Sequence, residues 1–157
     1  MSKNTQMVLE TLKPQITTIL NKDTIAPTDR LTQVCEYLQK EVKNYDWVGF
    51  YFANQAEQTL HLKAFAGEPT DHTVIPFGKG ICGQVAVSNE NFVVPDVQAQ
   101  DNYIACSIHV KSEIVIPLFK DGENIGQIDI DSDTIDAFTT EDEVFLSWVN
   151  TQVATIL

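Results

Sequence analysis

The sequence predicts a single α+β domain in which a central antiparallel sheet is flanked by helices. Hydrophobic periodicity gives the element order helix, helix, two strands, a helix with its loop, three strands and a final helix. Hairpins outnumber crossovers in this order, which favours an antiparallel sheet with helices on its faces. At about 150 residues per domain, the chain of 157 residues corresponds to one domain, residues 1–157.

The first two elements are helices with one apolar face each. In residues 5–21 the aliphatic side chains recur at helical spacing, and Pro14 is expected to kink this helix or restart it. The segment 26–29 (Ala-Pro-Thr-Asp) is typical of a helix start, and an apolar stripe follows it. Cys35 lies inside that stripe, so we expect it to be a small core residue.

Short strands and their connections fill the middle of the chain. Residues 47–52 are rich in aromatic side chains and form a predicted hairpin with the alternating segment 60–64. Residues 66–80 are rich in glycine and proline, which predicts a loop. A short helix over residues 81–87 and a short strand over residues 92–94 are expected to follow.

The last part of the chain predicts a hairpin and a closing helix. The strands 113–119 and 125–130 are joined by an Asp-Gly pair, which is a strong turn signal. The final helix is predicted to begin at Thr139 or Thr140, with Thr140 and Glu143 forming a capping box. We expect the first and last helices to pack side by side on one sheet face, where surplus apolar surface could form a homodimer interface.

Charge and composition exclude several classes of partner. The chain has 22 acidic and 10 basic residues, a net charge of −12, so it repels phosphate backbones and anionic lipid. We therefore expect neither nucleic acid nor a membrane surface as partner, and no apolar run approaches the ~20 residues of a membrane span. The N-terminus has no long apolar region typical of a signal peptide, so the expected location is cytoplasmic. Three cysteines without such a signal argue against a disulfide scaffold.

Polar side chains alternate with isoleucines along the last predicted strand. The polar positions are Gln127, Asp129 and Asp131. A solvated outer face explains this pattern, but the two aspartates could also converge with Glu113 of the preceding strand on one pocket. Carboxylates held close together raise one another's pKa, and a protonated carboxyl can act as a general acid. Trp47 and Tyr51 share one strand face, as core packing or as an aromatic wall for a small ligand.

Two cysteines lie in or next to predicted loops. Cys82 belongs to the segment GKGICG, and Cys106 belongs to the polar segment YIACS. A cytosolic cysteine is often an inert core residue, but loops tend to carry function. A nucleophilic cysteine needs thiolate character from a nearby cation or helix N-terminus, and the candidate cations are Lys79, His109 and Lys111.

A metal site is an alternative interpretation of the same region. His72, Cys82, Cys106 and His109 supply two sulfurs and two imidazoles, which is a donor set suited to zinc. The Cys106-x-x-His109 spacing is permissible, but the other two residues are scattered along the chain, so we expect no metal. The glycines of GKGICG lie outside any predicted βαβ unit, which argues against nucleotide binding.

Several segments together resemble a known family. They are WVGFY, IPFGKGICG, VVPDV, YIACS, KSEIVIPLF and DGENIGQIDIDS, followed by EDE at the last helix. This set resembles the GAF domain, and more narrowly the free methionine-(R)-sulfoxide reductases, which are single GAF domains of about this length. The resemblance covers roughly two thirds of the chain, from Trp47 onward, and implies a GAF-like fold. The activity it implies is thiol-dependent reduction of free L-methionine-(R)-sulfoxide, with no bound cofactor and with thioredoxin as electron donor.

The resemblance also implies roles for the cysteines. Cys106 matches the family's nucleophile, whose thiolate attacks the sulfoxide sulfur, releases methionine and becomes a sulfenic acid. Cys82 matches a second cysteine that is able to form a disulfide with the nucleophile. The family usually carries a third, resolving cysteine, and this sequence has His72 there instead. We therefore expect Cys82 to resolve the sulfenic acid. A non-catalytic GAF module that binds a small metabolite, and a redox sensor that uses Cys82 and Cys106, stay open as alternatives.

The remaining roles that the resemblance implies belong to the polar and aromatic side chains. Glu113 and Asp131 match acids that bind or protonate the sulfoxide and the substrate amine. Asp129 lies on the same strand face as Asp131 and joins the substrate-binding set. Trp47 and Tyr51 match an aromatic wall that takes the methyl-sulfinyl end of the substrate.

Overall fold

The computed structural model describes residues 2–101, 103 and 109–157, and that part of the chain contains four α-helices, a short 3-10 helix (Val97–Ala99) and six strands. The helices are α1 (Ser2–Leu20), α2 (Pro27–Glu41), α3 (Gly80–Ser88) and α4 (Thr140–Ala154). The strands are β1 (Trp47–Asn54), β2 (Thr59–Ala66), β3 (Val74–Pro76), β4 (Phe92–Val94), β5 (Ser112–Lys120) and β6 (Glu123–Ser132). They form one sheet in the order β3-β2-β1-β6-β5-β4. Every neighbouring pair is antiparallel, so the predicted α+β architecture is confirmed.

The two faces of the sheet have different coverings. One face carries aliphatic and aromatic side chains of the central strands: Val48, Phe50, Ile114, Ile116, Ile128 and Ile130. These residues pack in one core with α1, α2 and α4, and α1 contacts α4 directly as predicted. The opposite face carries a second apolar cluster, to which α3 contributes. Because side chains alternate along a strand, the residues between the isoleucines all point to this second face.

Helix α1 runs unbroken through Pro14, so the predicted restart of the helix at that residue is wrong. Pro14 lies on the exposed side of the helix, whereas Leu12 and Ile16 on either side of it are buried. The proline removes one backbone hydrogen bond, but tertiary packing of the apolar face supplies most of the stability of such a helix.

Helix α4 begins at Thr140, as predicted, but its capping box lies one residue earlier than predicted. The N-cap is Thr139, and Asp142 accepts hydrogen bonds from the Thr139 N–H at 2.8 Å and from its hydroxyl at 2.9 Å. The capping box is therefore Thr139 with Asp142, and the prediction of Thr140 with Glu143 is wrong. The buried Tyr45 hydroxyl donates to the other Asp142 oxygen at 2.6 Å, which fixes this side chain rather than that of Glu143.

Two connections near the sheet edges complete the fold. The segment 66–80, predicted to be a loop, contains the short strand β3, in which Ile75 is buried and pairs with Leu60. The Asp-Gly turn between β5 and β6 is confirmed, because Asp121 and Gly122 have φ angles of 53° and 80°. Positive φ at both positions is what a tight two-residue hairpin requires.

No helix in the described part of the chain combines the length and apolar character needed to cross a membrane.

Candidate active site

The strand register brings the predicted acidic residues together at the centre of the sheet. Strand β6 lies between β1 and β5, so Asp131 is opposite Trp47 on one side and Glu113 on the other. Two residues earlier, Asp129 is opposite Gly49 of β1. Glu113 is 4% exposed, and each of the two aspartates is 1% exposed. The interpretation as a solvated face is therefore wrong, because the three acids lie buried and close together on one face of the sheet.

Trp47 and Tyr51 lie beside these acids on one face of β1, as predicted. We call this pair the aromatic wall. Their ring centroids are 6.5 Å apart, and the Trp47 indole stacks on Phe65 at 5.9 Å and 15°. The indole N–H donates to the Glu68 carbonyl at 2.9 Å, and the Tyr51 hydroxyl donates to the His72 carbonyl at 2.8 Å. The segment between β2 and β3 is thereby bonded to both members of the wall.

Gly49 lies between Trp47 and Tyr51 on β1 and lets the indole lie flat over the strand. A Cβ atom at this position would overlap the six-membered ring of Trp47 and come within 3.2 Å of Leu62. No prediction from the sequence involved this glycine, although a glycine inside an aromatic strand often marks a close approach.

Replacing Gly49 with alanine is expected to push the indole out of position. Overpacking of this kind costs about 1–3 kcal/mol of the free energy of unfolding. Urea unfolding of Gly49→Ala measures the cost, and the same substitution in a Trp47→Phe background is the control. The smaller ring should relieve the overlap, so an equal cost in both backgrounds would contradict this account.

A cavity of about 260 Å³ opens at the Trp47 end of the wall. Trp47 and His109 line this cavity. The acidic residues that line it are Asp46, Glu68, Asp131 and Asp133. The Asp46 carboxylate accepts the Asp133 N–H at 2.8 Å, which joins the start of β1 to the end of β6 at the rim. The volume lies just below the roughly 300–1,000 Å³ of sites for drug-sized ligands, so the cavity suits a small cationic or zwitterionic metabolite.

A second, much smaller cavity of about 10 Å³ lies at the Tyr51 end of the wall. Cys82, Glu113 and Asp129 line its buried side, and the half-buried His72 lines it as well. The Cys82 sulfur lies 3.8 Å from Oε2 of Glu113. The predicted acids therefore divide between two cavities: Asp131 faces the larger one, and Glu113 and Asp129 face the thiol.

Burial and neighbouring acids keep the Cys82 thiol protonated. Burial is the largest cause of its raised pKa, and Asp129, Glu113 and Asp131 raise that pKa further. Burial also raises the pKa of Asp129, and hydrogen bonds with Glu113 and Cys82 oppose part of this rise. The small cavity therefore favours neutral groups, which makes Asp129 easier to protonate than an ordinary aspartate.

The GKGICG segment places Cys82 in the first turn of α3. The Gly78 N–H donates to the Gly83 carbonyl at 2.8 Å, which closes the loop onto the helix. A Cβ on Gly83 would lie 2.6 Å from the Pro76 carbonyl oxygen, so only glycine fits this approach. From the sheet, the Gln127 side-chain amide donates to the Cys82 carbonyl at 3.1 Å. No role was predicted for Gln127 from the sequence. Its position on the same strand face as Asp129 could have indicated that it lies near the site.

The other predicted thiol and metal residues are placed as follows. Cys106 lies outside the described residues, so its role and its pairing with Cys82 stay predictions. Cys35 is fully buried in the helical core, as expected. His72 and His109 do not form a three-ligand group with Cys82 among the described residues; the group that does form is Cys82 with Glu113 and Asp129. Of the candidate cations, Lys79 lines the small cavity and His109 the large one, whereas Lys111 lines neither.

The fold and its cavities define a GAF domain, and a model of the GAF domain family matches residues 25–157. The chain is 39% identical over 142 residues to GAF domain-containing protein A of Dictyostelium discoideum. The aligned region covers 89% of this chain and 86% of that relative. The chain is also 35% identical over 127 residues to free methionine-R-sulfoxide reductase of Escherichia coli, covering 81% and 75% of the two chains.

A solved structure gives the same result for the fold. Free methionine-R-sulfoxide reductase from Neisseria meningitidis, in complex with its substrate, superposes with a TM-score of 0.90 at 33% identity and covers 97% of this chain and 89% of its own. The chain therefore belongs to the GAF domain family and, within it, to the family of the free methionine-R-sulfoxide reductases. These homologues are oxidoreductases, and the resemblance noted in the sequence is confirmed.

Proposed function

We propose that the protein reduces free L-methionine-(R)-sulfoxide to methionine with its own thiols and is recycled by thioredoxin. The observation that carries this proposal is the cluster of three buried carboxyl groups, Glu113, Asp129 and Asp131, beside the wall of Trp47 and Tyr51. Loss of a sulfoxide oxygen requires protons, and buried carboxyls are suited to supply them. The names of the E. coli and N. meningitidis relatives support the choice of substrate.

The larger cavity supports recognition of a free amino acid. The carboxyl groups of Asp46, Glu68, Asp131 and Asp133 line it and attract an ammonium group. A methionine sulfoxide inside a peptide has an amide in place of that ammonium and would lose this attraction. The Trp47 face would take the methyl-sulfinyl end, because a ring face contacts apolar and polarisable groups favourably.

The proposed reaction balances in three steps. The Cys106 thiolate attacks the substrate sulfur, and the oxygen passes overall to Cys106, which becomes a sulfenic acid as methionine is released. The substrate sulfur gains two electrons, and the Cys106 sulfur loses two. The Cys82 thiol then condenses with the sulfenic acid to form a disulfide and water. A thioredoxin dithiol reduces this disulfide by thiol–disulfide exchange.

The division of the acids between the cavities suggests separate roles for them. Asp131 faces the larger cavity and would hold the substrate ammonium. Glu113 and Asp129 lie beside the Cys82 thiol, and the raised pKa of Asp129 suits it to donate a proton to the leaving oxygen. An ammonium at Asp131 would also offset negative charge that opposes thiolate formation.

Replacing Asp129 with asparagine is expected to slow reduction and to stabilise the fold at neutral pH. The folded-state pKa of Asp129 is raised by burial, so the wild type is most stable below the ordinary aspartate pKa and loses stability as pH rises through the raised value. Each unit of that rise corresponds to about 1.4 kcal/mol. Asparagine does not titrate, so the advantage of the variant should grow from pH 4 to pH 8 in urea unfolding.

The exposed Asp133, which lines the larger cavity, supplies the control for this prediction. Asp133→Asn should show no gain in stability that grows with pH. A growing gain in Asp133→Asn, or none in Asp129→Asn, would contradict the burial argument.

The experiment that tests the function is a thioredoxin-coupled assay that follows NADPH oxidation. The substrates are free L-methionine-(R)-sulfoxide, the S epimer and a peptide-bound sulfoxide. Turnover of the free R form alone is the expected result. No methionine from folded, fully reduced protein would overturn the reductase proposal and favour a metabolite-binding module. A Cys82–Cys106 disulfide that forms with peroxide, without sulfoxide turnover, would favour a redox sensor.

Three further features stay predictions: a single domain over residues 1–157, a cytoplasmic location, and a homodimer formed through the first and last helices. Met7 and Val8 on α1 and Val144 on α4 are exposed apolar side chains at the surface that such a dimer would use. Sedimentation of the purified protein would measure its oligomeric state.

A further inference from the structure

We propose that Cys82, Glu113 and Asp129 form a binding site for one zinc-like divalent ion. The three side chains come from α3, β5 and β6. One ligand atom of each lies within 4.8 Å of the others, and none of the three residues is more than 5% exposed. A sulfur with two carboxylate oxygens is a donor set for a borderline-soft ion such as zinc, because calcium and magnesium prefer oxygen ligands alone.

The distance between the Cys82 sulfur and a Glu113 oxygen already suits tetrahedral coordination. With Zn–S of about 2.3 Å and Zn–O of about 2.1 Å, the sulfur and oxygen of a tetrahedral site lie about 3.6 Å apart. The Cys82 sulfur lies 3.8 Å from Oε2 of Glu113. The cavity between these groups has a volume of about 10 Å³, close to the roughly 10–15 Å³ that one water-sized sphere occupies. A single ion could therefore enter with small side-chain movements.

An oxygen of Asp129 is a second, independent observation that points to a cation site. Oδ1 of Asp129 is buried and has no hydrogen-bond partner within the described part of the chain. A buried carboxylate oxygen without a donor is costly, and hydrogen bonds between the three side chains do not satisfy this one. Asp129 lines the same small cavity as the sulfur, so an ion there could bind it.

His72 lies outside this group of three and would become the fourth ligand after a side-chain movement. It lines the same cavity as Cys82, and a neutral imidazole is a common zinc ligand. A Cys-His-Glu-Asp set would complete a tetrahedral site, with the thiol proton released to solvent as the metal–sulfur bond forms.

Metal binding would inhibit the reductase, a consequence that rests on the proposed function, although the site itself does not. A metal-bound Cys82 sulfur is no longer free to attack the Cys106 sulfenic acid. The metal would also occupy Asp129, the proposed proton donor, so we expect zinc to stop multiple turnover and to slow the first reduction of substrate as well.

Titration of the reduced full-length protein with Co²⁺ tests the site without any enzyme assay. Cobalt bound to a cysteine sulfur gives a charge-transfer absorption in the near ultraviolet, and one equivalent should saturate it. The band should vanish in Cys82→Ser, persist in Cys35→Ala, and be displaced by Zn²⁺. Asp129→Asn and His72→Ala should each weaken cobalt binding at least about tenfold, in line with loss of one ligand. Circular dichroism establishes that each variant is folded.

Two results of the titration would overturn the site. They are the absence of the band in folded, reduced protein, and a band that survives Cys82→Ser but is lost in Cys106→Ser. The inhibition is tested separately, with Zn²⁺ in the coupled assay. Cobalt binding in a protein that reduces no sulfoxide would support the site and overturn the proposed function. Binding without inhibition of multiple turnover would overturn only the regulatory consequence.

Discussion

Replacing Cys106 with serine is expected to lower the rate of methionine sulfoxide reduction by at least about 10³-fold and to leave substrate binding intact. A serine hydroxyl is a far weaker nucleophile than a thiolate, and loss of a nucleophile removes the chemical step itself. The groups proposed to bind the substrate, Trp47 and Asp131, are held by the pairing of β1 with β6. Isothermal titration calorimetry with the free R sulfoxide should give a Kd within about threefold of the wild-type value.

The matched control for this variant is Cys35→Ala, which removes a thiol from the helical core. Cys35 packs between helices on the opposite face of the sheet, far from both cavities. Its loss should leave turnover unchanged apart from a modest decrease in stability. Turnover by Cys106→Ser near the wild-type rate would remove Cys106 from the mechanism, and loss of binding in the same variant would contradict its purely chemical role.

Replacing Cys82 with serine is expected to convert the enzyme to a single-turnover reagent. Without the resolving thiol, one methionine per protein should appear in a burst, after which the Cys106 sulfenic acid accumulates. Rapid-quench measurement gives the size of the burst, and dimedone labelling with mass spectrometry detects the sulfenic acid. Steady turnover at the wild-type rate with thioredoxin would contradict this prediction, because thioredoxin would then reduce the sulfenic acid directly.

A double variant sharpens the test of the resolving step. His72 lines the same cavity as Cys82, so a thiol at position 72 would stand at the same end of the site. Adding His72→Cys to Cys82→Ser should restore at least part of the turnover, whereas adding His72→Ser should not. Restoration by cysteine alone would support the idea that position 72 can serve in recycling. Equal behaviour of the two double variants would contradict it.

The sequence predicted the parts of the fold that depend on local chemistry. The Asp-Gly turn, the alternation along β6 and the apolar stripe around Cys35 each have a short-range cause. The aspartates of β6 could be placed on one face for the same reason. Whether that face was solvated depended on α3 covering it, and coverage by a distant element is not visible in a strand of alternating residues.

The details that the sequence did not predict depend on contacts between distant segments. The choice between two overlapping capping boxes depended on Tyr45, which donates to Asp142 from almost a hundred residues away. Strand β3 has three residues, of which one is buried. It is too short to show a hydrophobic period in the sequence. The need for glycine at position 49 follows from the path of the Trp47 indole, which is fixed by its bond to the Glu68 carbonyl.

The residues proposed to bind the substrate and the residues proposed to recycle the thiols lie on different elements of the fold, so mutation can change one set without the other. The acids and the aromatic wall lie on β1, β5 and β6, where each strand has hydrogen-bonded neighbours on both sides. His72 and Cys82, by contrast, lie in a surface connection and in a helix that caps the sheet. Mutations in those two segments can redesign the redox chemistry without a change to the sheet that would recognise the ligand. A lineage could thus exchange one recycling partner for another, or lose recycling altogether, and retain the same pocket.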